Sequence, residues 1–149
     1  ESLANSIEQD QNRAELINDE NVFREAKNDS YFQTAWVNIL FGKYDLARKN
    51  LDQLRKNQEE IKDPTAMYGF YGLSGMADLM EGNYEGAITK FIKGNENNIY
   101  FNYFKALALK AAGKEEEAKN QFTKIANINF SNWNIAIVRR LANKQLGKT

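Results

Sequence analysis

One motif occurs three times in this chain and limits the folds that the chain can adopt. Each copy places an alanine five residues after a glycine and a large apolar residue four residues after the alanine; the copies are GKYDLARKNL from Gly42, GNYEGAITKF from Gly82 and GKEEEAKNQF from Gly113. Glycine readily adopts the left-handed conformation that ends a helix, and apolar residues four apart lie on one helix face. The motif therefore predicts a turn between two helices, followed by the buried face of the second helix.

A small residue stands seven positions before each turn glycine, namely Ala35, Gly75 or Ala106. A small side chain at a contact lets the two helices of a pair approach closely. The sequence thus predicts an all-α fold of three helical hairpins. Each hairpin is too small to bury its apolar stripe alone, so neighbouring hairpins are expected to stack and share a continuous core.

Local start and stop signals predict about seven helices. They cover residues 29–41, 44–56, 65–80, 84–93, 99–112, 115–126 and 133–146, and a first helix that runs from about residue 20 is an alternative. The predicted N-caps are Asp29 or Ser30 for the first helix, Asp63 with Pro64 at the first helical position for the third, and Ser131 or Asn132 for the last. Residues 1–27 are polar and form either a lead-in or a helix. The last helix carries Trp133, Ile137 and Leu141 at every fourth position.

The composition limits the classes of partner. The 149 residues suit one domain or a short repeat array. Lys+Arg and Asp+Glu both total 20, so no net charge would draw the chain to nucleic acid. No run approaches the roughly 18 apolar residues that identify a membrane helix, so we expect no membrane segment. The chain begins at Glu1 rather than methionine, and we expect a soluble cytoplasmic or periplasmic protein, with a removed signal or anchor left open.

The chain contains neither cysteine nor histidine. Thiolate chemistry is therefore excluded, and the commonest general base and metal ligand are missing. No glycine-rich phosphate loop stands out, and no pair of acids is distinct from the other surface carboxylates. The sequence predicts no enzyme, no metal site and no cofactor.

The repeated units resemble the tetratricopeptide repeat, a helix-turn-helix of about 34 residues that stacks into a right-handed superhelix. The small residue of the first helix and the two apolar residues of the second match the family pattern in all three copies, and Tyr44 and Tyr84 match its turn aromatic. The resemblance implies an N-terminal segment at 1–27 and a repeat domain at 28–149. Within that domain it implies repeats at about 28–61, 68–98 and 99–132, and a capping helix at 133–146.

The chain departs from the family pattern at a few positions. Glu115 replaces the turn aromatic, and Asn38 and Asp78 stand where the family usually has a tyrosine. We expect these two polar side chains to contact the backbone or water. The turn glycines are 40, 31 and 34 residues apart, so one linker is longer and one shorter than the family repeat.

In this family the first helices line a concave groove that takes a peptide or a partner's helix. Carried over by position, the groove residues are Phe32, Trp36, Ile39, Met76, Tyr100, Tyr103 and Leu107, with Gly69 and Gly72 leaving space. The family's carboxylate clamp is absent, because apolar and aromatic residues occupy its positions. The resemblance therefore implies a non-catalytic module that binds a partner protein in an apolar, aromatic groove, as an adaptor, co-chaperone or assembly factor.

Several alternatives stay open. The same residues would be core if the chain's own N-terminal segment filled the groove, and the alternative function is then a self-associating scaffold. Residues 1–30 hold eight acids and three bases, whereas residues 131–149 hold four bases and no acid. Oppositely charged ends would suit a homo-oligomer. Arg139, Arg140 and Lys144 form a basic patch that suits phosphate or an acidic partner, or else a solvated helix face.

Overall fold

The structure is a computed structural model that describes residues 2–129 and 133–148. These residues form eight α-helices and no strand; the helices are α1 (Ser2–Ile17), α2 (Glu20–Leu40), α3 (Tyr44–Glu59), α4 (Tyr68–Met80), α5 (Tyr84–Lys93), α6 (Ile99–Ala111), α7 (Glu115–Ala126) and α8 (Trp133–Gln145). The predicted all-α class is confirmed. The predicted N-caps Ser131 and Asn132 lie outside the described residues.

The chain divides into two compact units, Glu1–Leu73 and Ser74–Thr149. In the first unit α1 packs on α2, and α2 packs on α3. In the second unit α5, α6, α7 and α8 pack in chain order, and α6 also contacts α8. The boundary falls inside α4, so this helix contributes residues to both units.

Each predicted hairpin turns at a glycine with a positive φ angle. The angles are +69° at Gly42, +84° at Gly82 and +76° at Gly113. The residue after each glycine donates its backbone N–H to the carbonyl oxygen five positions back, at 2.8 to 2.9 Å, which closes the helix end. A turn of the same form follows α8, where Gly147 has a φ of +71° and the N–H of Lys148 donates to a carbonyl oxygen at 2.9 Å. The predicted turns are confirmed.

The repeated apolar residues of the second helices form the core. These side chains are all buried: Ala47 and Leu51 on α3, Ala87 and Phe91 on α5, and Ala118 and Phe122 on α7. The small residues of the first helices allow the close approach that the sequence predicts. A Cβ atom on Gly75 would lie 2.9 Å from Cε1 of Phe91, and Ala35 and Ala106 are fully buried.

The N-terminal segment is helical, and the first repeat helix starts early. Asn18 has a φ of +54° and separates α1 from α2. The Asp19 side chain accepts hydrogen bonds from the backbone N–H groups of Asn21 and Val22, at 2.8 and 3.3 Å, so Asp19 is the N-cap of α2. Asp29 and Ser30 therefore lie inside α2, and the longer of the two predicted helices is the one that forms.

The third predicted helix, at 65–80, starts later in the structure. Asp63 accepts hydrogen bonds from the backbone N–H of Thr65 at 2.7 Å and from its hydroxyl at 2.8 Å. These bonds lower the pKa of Asp63. Residues 64–67 form turns, and α4 begins at Tyr68. Asp63 thus caps a turn that precedes the helix, because Thr65 satisfies the carboxylate locally.

Candidate functional site

The residues predicted for the groove fall into both units and differ in exposure. Phe32, Trp36, Tyr100, Tyr103 and Leu107 are half-buried. The remaining two are core residues, since Ile39 is 2% exposed and Met76 is 0% exposed. The surface part of the predicted set therefore consists of five side chains, two in the first unit and three in the second.

In the first unit, Phe32 and Trp36 form an aromatic pair one turn apart on α2. Their ring centroids are 5.8 Å apart and the planes meet at 69°, an edge-to-face arrangement. A Cβ atom on Gly69 would lie 3.2 Å from the Phe32 ring, so the absence of a side chain there makes room for the ring. Both rings remain half-buried, which leaves part of each accessible to a ligand.

In the second unit, Tyr103 on α6 is held by two neighbouring rings. Its centroid lies 6.0 Å from that of Phe104 and 5.8 Å from that of Phe122 on α7. Part of the Tyr103 ring is thus used in the packing of α6 against α7. Tyr100 and Leu107 are half-buried on the same helix, so α6 keeps an apolar surface beside its core face.

A buried ion pair crosses the hairpin of α4 and α5. Lys90 Nζ donates to Asp78 Oδ2 at 2.6 Å, and the two side chains are 31% and 3% exposed. The carboxylate therefore has a cationic side-chain partner, which the expectation of backbone or water contacts missed. Asn38, the other polar residue of this kind, is half-buried. The pair joins α4 to α5, and removal of Lys90 would leave the buried carboxylate without this counter-charge.

The other two hairpins also carry a polar contact between their helices. Asn57 donates to Asn28 Oδ1 at 3.0 Å between α3 and α2, and Gln121 donates to Asn102 Oδ1 at 3.2 Å between α7 and α6. At the surface, Lys114 donates to Glu85 Oε2 at 2.8 Å, which raises the pKa of Lys114. Such exposed pairs contribute little to stability.

The predicted basic patch lies on α8. Arg139 is half-buried, and Arg140 and Lys144 are exposed. These three residues line a wide hollow of about 880 Å³ together with Ile137 and Leu141. The patch is therefore mixed, with cationic side chains beside exposed apolar ones.

The large apolar residues of α8 lie on two faces, one buried and one exposed, and the sequence pattern does not reveal this. Val138 and Ala142 are buried, whereas Trp133, Ile137 and Leu141 are 73%, 41% and 40% exposed. Both sets have a spacing of four residues, so both match the pattern of a buried stripe. The spacing alone contains no signal that selects between them.

Among residues 2–129 and 133–148, no group of three or more His, Cys, Asp or Glu side chains is arranged to hold a metal ion. Within the same ranges, no helix combines the length and the apolar character that crossing a membrane requires.

Comparison with known proteins gives no relative for this chain. A scan of protein-family models, a search of curated proteins and a search of solved structures each found no match. The resemblance to the tetratricopeptide repeat therefore stands on the repeated motif and the hairpins alone.

Proposed function

We propose that this chain is a non-catalytic protein-interaction module that binds a peptide or a helix of a partner protein. In this proposal the hairpins are units of the tetratricopeptide type, stacked in a right-handed superhelix. The partner would lie on the half-buried aromatic side chains of the first helices. Adaptor, co-chaperone and assembly roles all fit such a module, because the fold itself is compatible with many processes.

The Phe32–Trp36 pair is the observation that carries this proposal. Two aromatic rings in fixed edge-to-face contact offer a large contact area at a low cost in side-chain entropy. Trp36 and Leu107 both lie six residues before their turn glycines, and Phe32 and Tyr103 both lie ten before. The first helices α2 and α6 thus present large apolar side chains at equivalent positions, as a repeated binding surface would.

A non-catalytic role also agrees with the residue types available. The chain has no histidine or cysteine, and the buried carboxylate of Asp78 is paired with Lys90. Covalent catalysis needs a nucleophilic side chain and a general base that lie within hydrogen-bond reach of each other and close to the substrate. We therefore infer binding rather than chemistry for the half-buried aromatic residues.

The test is affinity capture from native extract with matched variants of α2. Trp36→Glu removes a half-buried aromatic residue, and Leu40→Glu places the same charge at an exposed position one turn along the helix. We expect the partner to be retained by the wild type and by Leu40→Glu and to be lost by Trp36→Glu. Circular dichroism of all three proteins must show the same helix content.

A capture pattern that Trp36→Glu leaves unchanged would contradict the proposal. Titration of the captured partner, as a purified peptide, against the same three proteins then gives the loss directly. A central aromatic residue of an interface typically costs at least about 2 kcal/mol when removed. Dissociation constants that agree within a factor of two would also sink the idea.

The alternative function, a self-associating scaffold whose own N-terminal segment fills the groove, has a separate test. The cleft between α1 and α2 is lined on the α2 side by Val22, Glu25, Ala26, Asp29, Ser30 and Gln33. Phe32 and Trp36 are not among these residues, and this placement supports an accessible pair. Deleting residues 1–17 in a Trp133→Phe background should leave acrylamide quenching of Trp36 unchanged. Increased quenching would favour the scaffold.

A further inference from the structure

The exposed stripe of α8 occupies positions that are covered elsewhere in the second unit. Leu141 lies six residues before its turn glycine, as Met76 does on α4 and Leu107 does on α6. Met76 is buried and Leu107 is half-buried, whereas Leu141 is 40% exposed. With Trp133 and Ile137, Leu141 forms an apolar stripe along α8 that lacks the cover found on α4. Exposed apolar stripes of this kind mark interaction sites.

The surroundings of this stripe are cationic. Arg140 and Lys144 are exposed beside it, and no acid occurs between residues 133 and 148. We call Trp133, Ile137, Leu141, Arg140 and Lys144 together the α8 surface. An occupant of the α8 surface needs exposed apolar side chains with acids around them, because like charges would oppose the contact.

The same chain has such a surface where α1 meets α2. Leu16, Ile17 and Phe23 are 86%, 61% and 37% exposed. Glu15, Asp19 and Glu20 are exposed next to them and, with Phe23, line a small hollow of about 290 Å³. We call these six residues the junction surface. It has the composition that the α8 surface requires of a partner.

We propose that the junction surface of a second copy of this chain binds the α8 surface, head to tail. Burial of the two apolar sets supplies the driving force, and the opposite charges select this pairing over α8 against α8 or junction against junction. The contact is heterologous, because two different surfaces of the chain meet. It uses none of the aromatic residues assigned to the partner protein, so it goes beyond the proposed function.

Two variants with one surface blocked test the proposal. Ile137→Ser with Leu141→Ser removes apolar contacts from the α8 surface, and Leu16→Ser with Ile17→Ser does so at the junction surface. None of these changes adds a charge. At low ionic strength, where screening is weak, we expect the sedimentation mass of the wild type to rise with concentration to at least twice the monomer mass. Each variant alone should remain a monomer.

The mixture of the two variants is the decisive sample. One variant keeps an intact junction surface and the other keeps an intact α8 surface, so an equimolar mixture should form a species of twice the monomer mass and stop there. Ile92→Ser, at an exposed position on α5, is the matched control and should assemble as the wild type does. Circular dichroism confirms that all the variants keep their helices.

Three results would overturn the proposal. The first is a wild type that stays monomeric up to its solubility limit, which would leave α8 to another kind of partner. The second is a junction variant that assembles as well as the wild type, which would indicate contact between two α8 surfaces. The third is a mixture that remains monomeric while the wild type assembles, which would exclude the head-to-tail pairing.

Charge reversal tests the selectivity separately. Arg140→Glu with Lys144→Glu should abolish assembly, because both surfaces then carry acids. Adding Glu15→Lys and Glu20→Lys to the same chain reverses the junction surface as well and should restore assembly. Failure of the fourfold variant to recover would contradict the assigned pairing.

Discussion

Among single residues, Gly75 shows how one absent side chain sets the distance between two helices. A Cβ atom there would lie 2.9 Å from Cε1 of Phe91, closer than carbon atoms in contact normally approach. Glycine inside a helix costs roughly 0.5–1 kcal/mol relative to alanine. The packing of the Phe91 ring over Gly75 offsets that cost.

We expect Gly75→Ala to lower the free energy of unfolding by about 1–3 kcal/mol, because the added methyl group overpacks the contact. This direction is opposite to the effect of helix propensity. Phe91→Leu also costs stability because Phe91 is a core residue, but the loss in the double variant should be smaller than the sum of the two single losses, since leucine removes the ring that the methyl group meets. Urea unfolding of the two single variants and the double variant measures the coupling. Strictly additive losses would show that the two residues do not meet.

The folded chain disfavours the ionised form of the Asp29 carboxyl. Asp29 lines the cleft between α1 and α2 together with Asp10 and Glu25. Partial burial in this cleft raises the pKa of Asp29 above its usual 3.8, although the residue is still exposed, and the negative charges of Glu25 and Asp10 raise it further. The folded state therefore holds this proton more tightly than the unfolded state. The contribution of Asp29 to stability is greatest below the pKa that its carboxyl has in the unfolded chain. It is lost as the pH rises through the higher pKa of the folded chain.

We expect Asp29→Asn to raise the free energy of unfolding at neutral pH, because the amide carries no charge. The advantage should vanish well below pH 3.8, where the wild-type carboxyl is protonated in both states. Urea unfolding at the two pH values gives both differences. An Asp10→Asn background should reduce the gain at neutral pH. An equal gain at both pH values would contradict an electrostatic cause.

Among the elements, the glycine turn recurs with the same backbone conformation and the same hydrogen bond after α2, α4, α6 and α8. Gly113 has a φ of +76°, and an added Cβ would meet nothing within 4 Å. The backbone angle alone therefore selects glycine there, in contrast to the packing at Gly75. A residue other than glycine costs roughly 1–2 kcal/mol in the left-handed region, and asparagine tolerates it best.

We expect Gly113→Val to destabilise the chain more than Gly113→Asn, because valine is branched at Cβ and cannot bond to its own backbone. Thermal unfolding of both variants beside the wild type gives the order. Gly75 provides the contrast, since asparagine there would be worse than alanine. Equal melting temperatures for the valine and asparagine variants would indicate that φ at Gly113 is not the limiting factor.

The elements also show what can be predicted from the sequence. The glycine spacing predicts the hairpins because a left-handed turn and a buried face are local properties of the chain. The start of α2 is not determined by local sequence alone, because Asp29 and Ser30 are also of the residue types that cap helices, although Asp19 is the cap in the structure. On α8 the stripe at Val138 and Ala142 and the stripe at Ile137 and Leu141 have equal spacing, so which stripe is buried depends on α6 and α7, the helices that α8 contacts. The Asp78–Lys90 pair joins two helices, and no local pattern encodes it.

For the candidate site, the sequence indicates which helix carries a residue but does not indicate whether its side chain is exposed. The family pattern places Phe32 and Met76 on first helices, which the structure shares. Whether a side chain at such a position reaches solvent depends on its neighbours: Gly69 makes room for the Phe32 ring, whereas Met76 is buried. These neighbours come from other parts of the chain, and the period of one helix does not reveal them.

Across the whole molecule, charge is balanced in total but not along the chain. Lys+Arg and Asp+Glu both total 20, but residues 1–30 hold eight acids against three bases, and the charged residues of α8 are all bases. A balanced total gives little long-range repulsion between copies. The separation of sign makes the two surfaces of the head-to-tail proposal complementary, and added salt should weaken assembly.

The packing of each helix on its neighbours in the chain also determines how quickly the protein can reach this arrangement. In the first unit α1 packs on α2 and α2 on α3, and α5 to α8 follow the same order in the second. Contacts between neighbouring segments close short loops, which cost little entropy. Helical bundles that are rich in such local contacts fold in microseconds to milliseconds. A newly made helix can thus pack on the helix before it while later helices are still being synthesised, without waiting for a distant part of the chain.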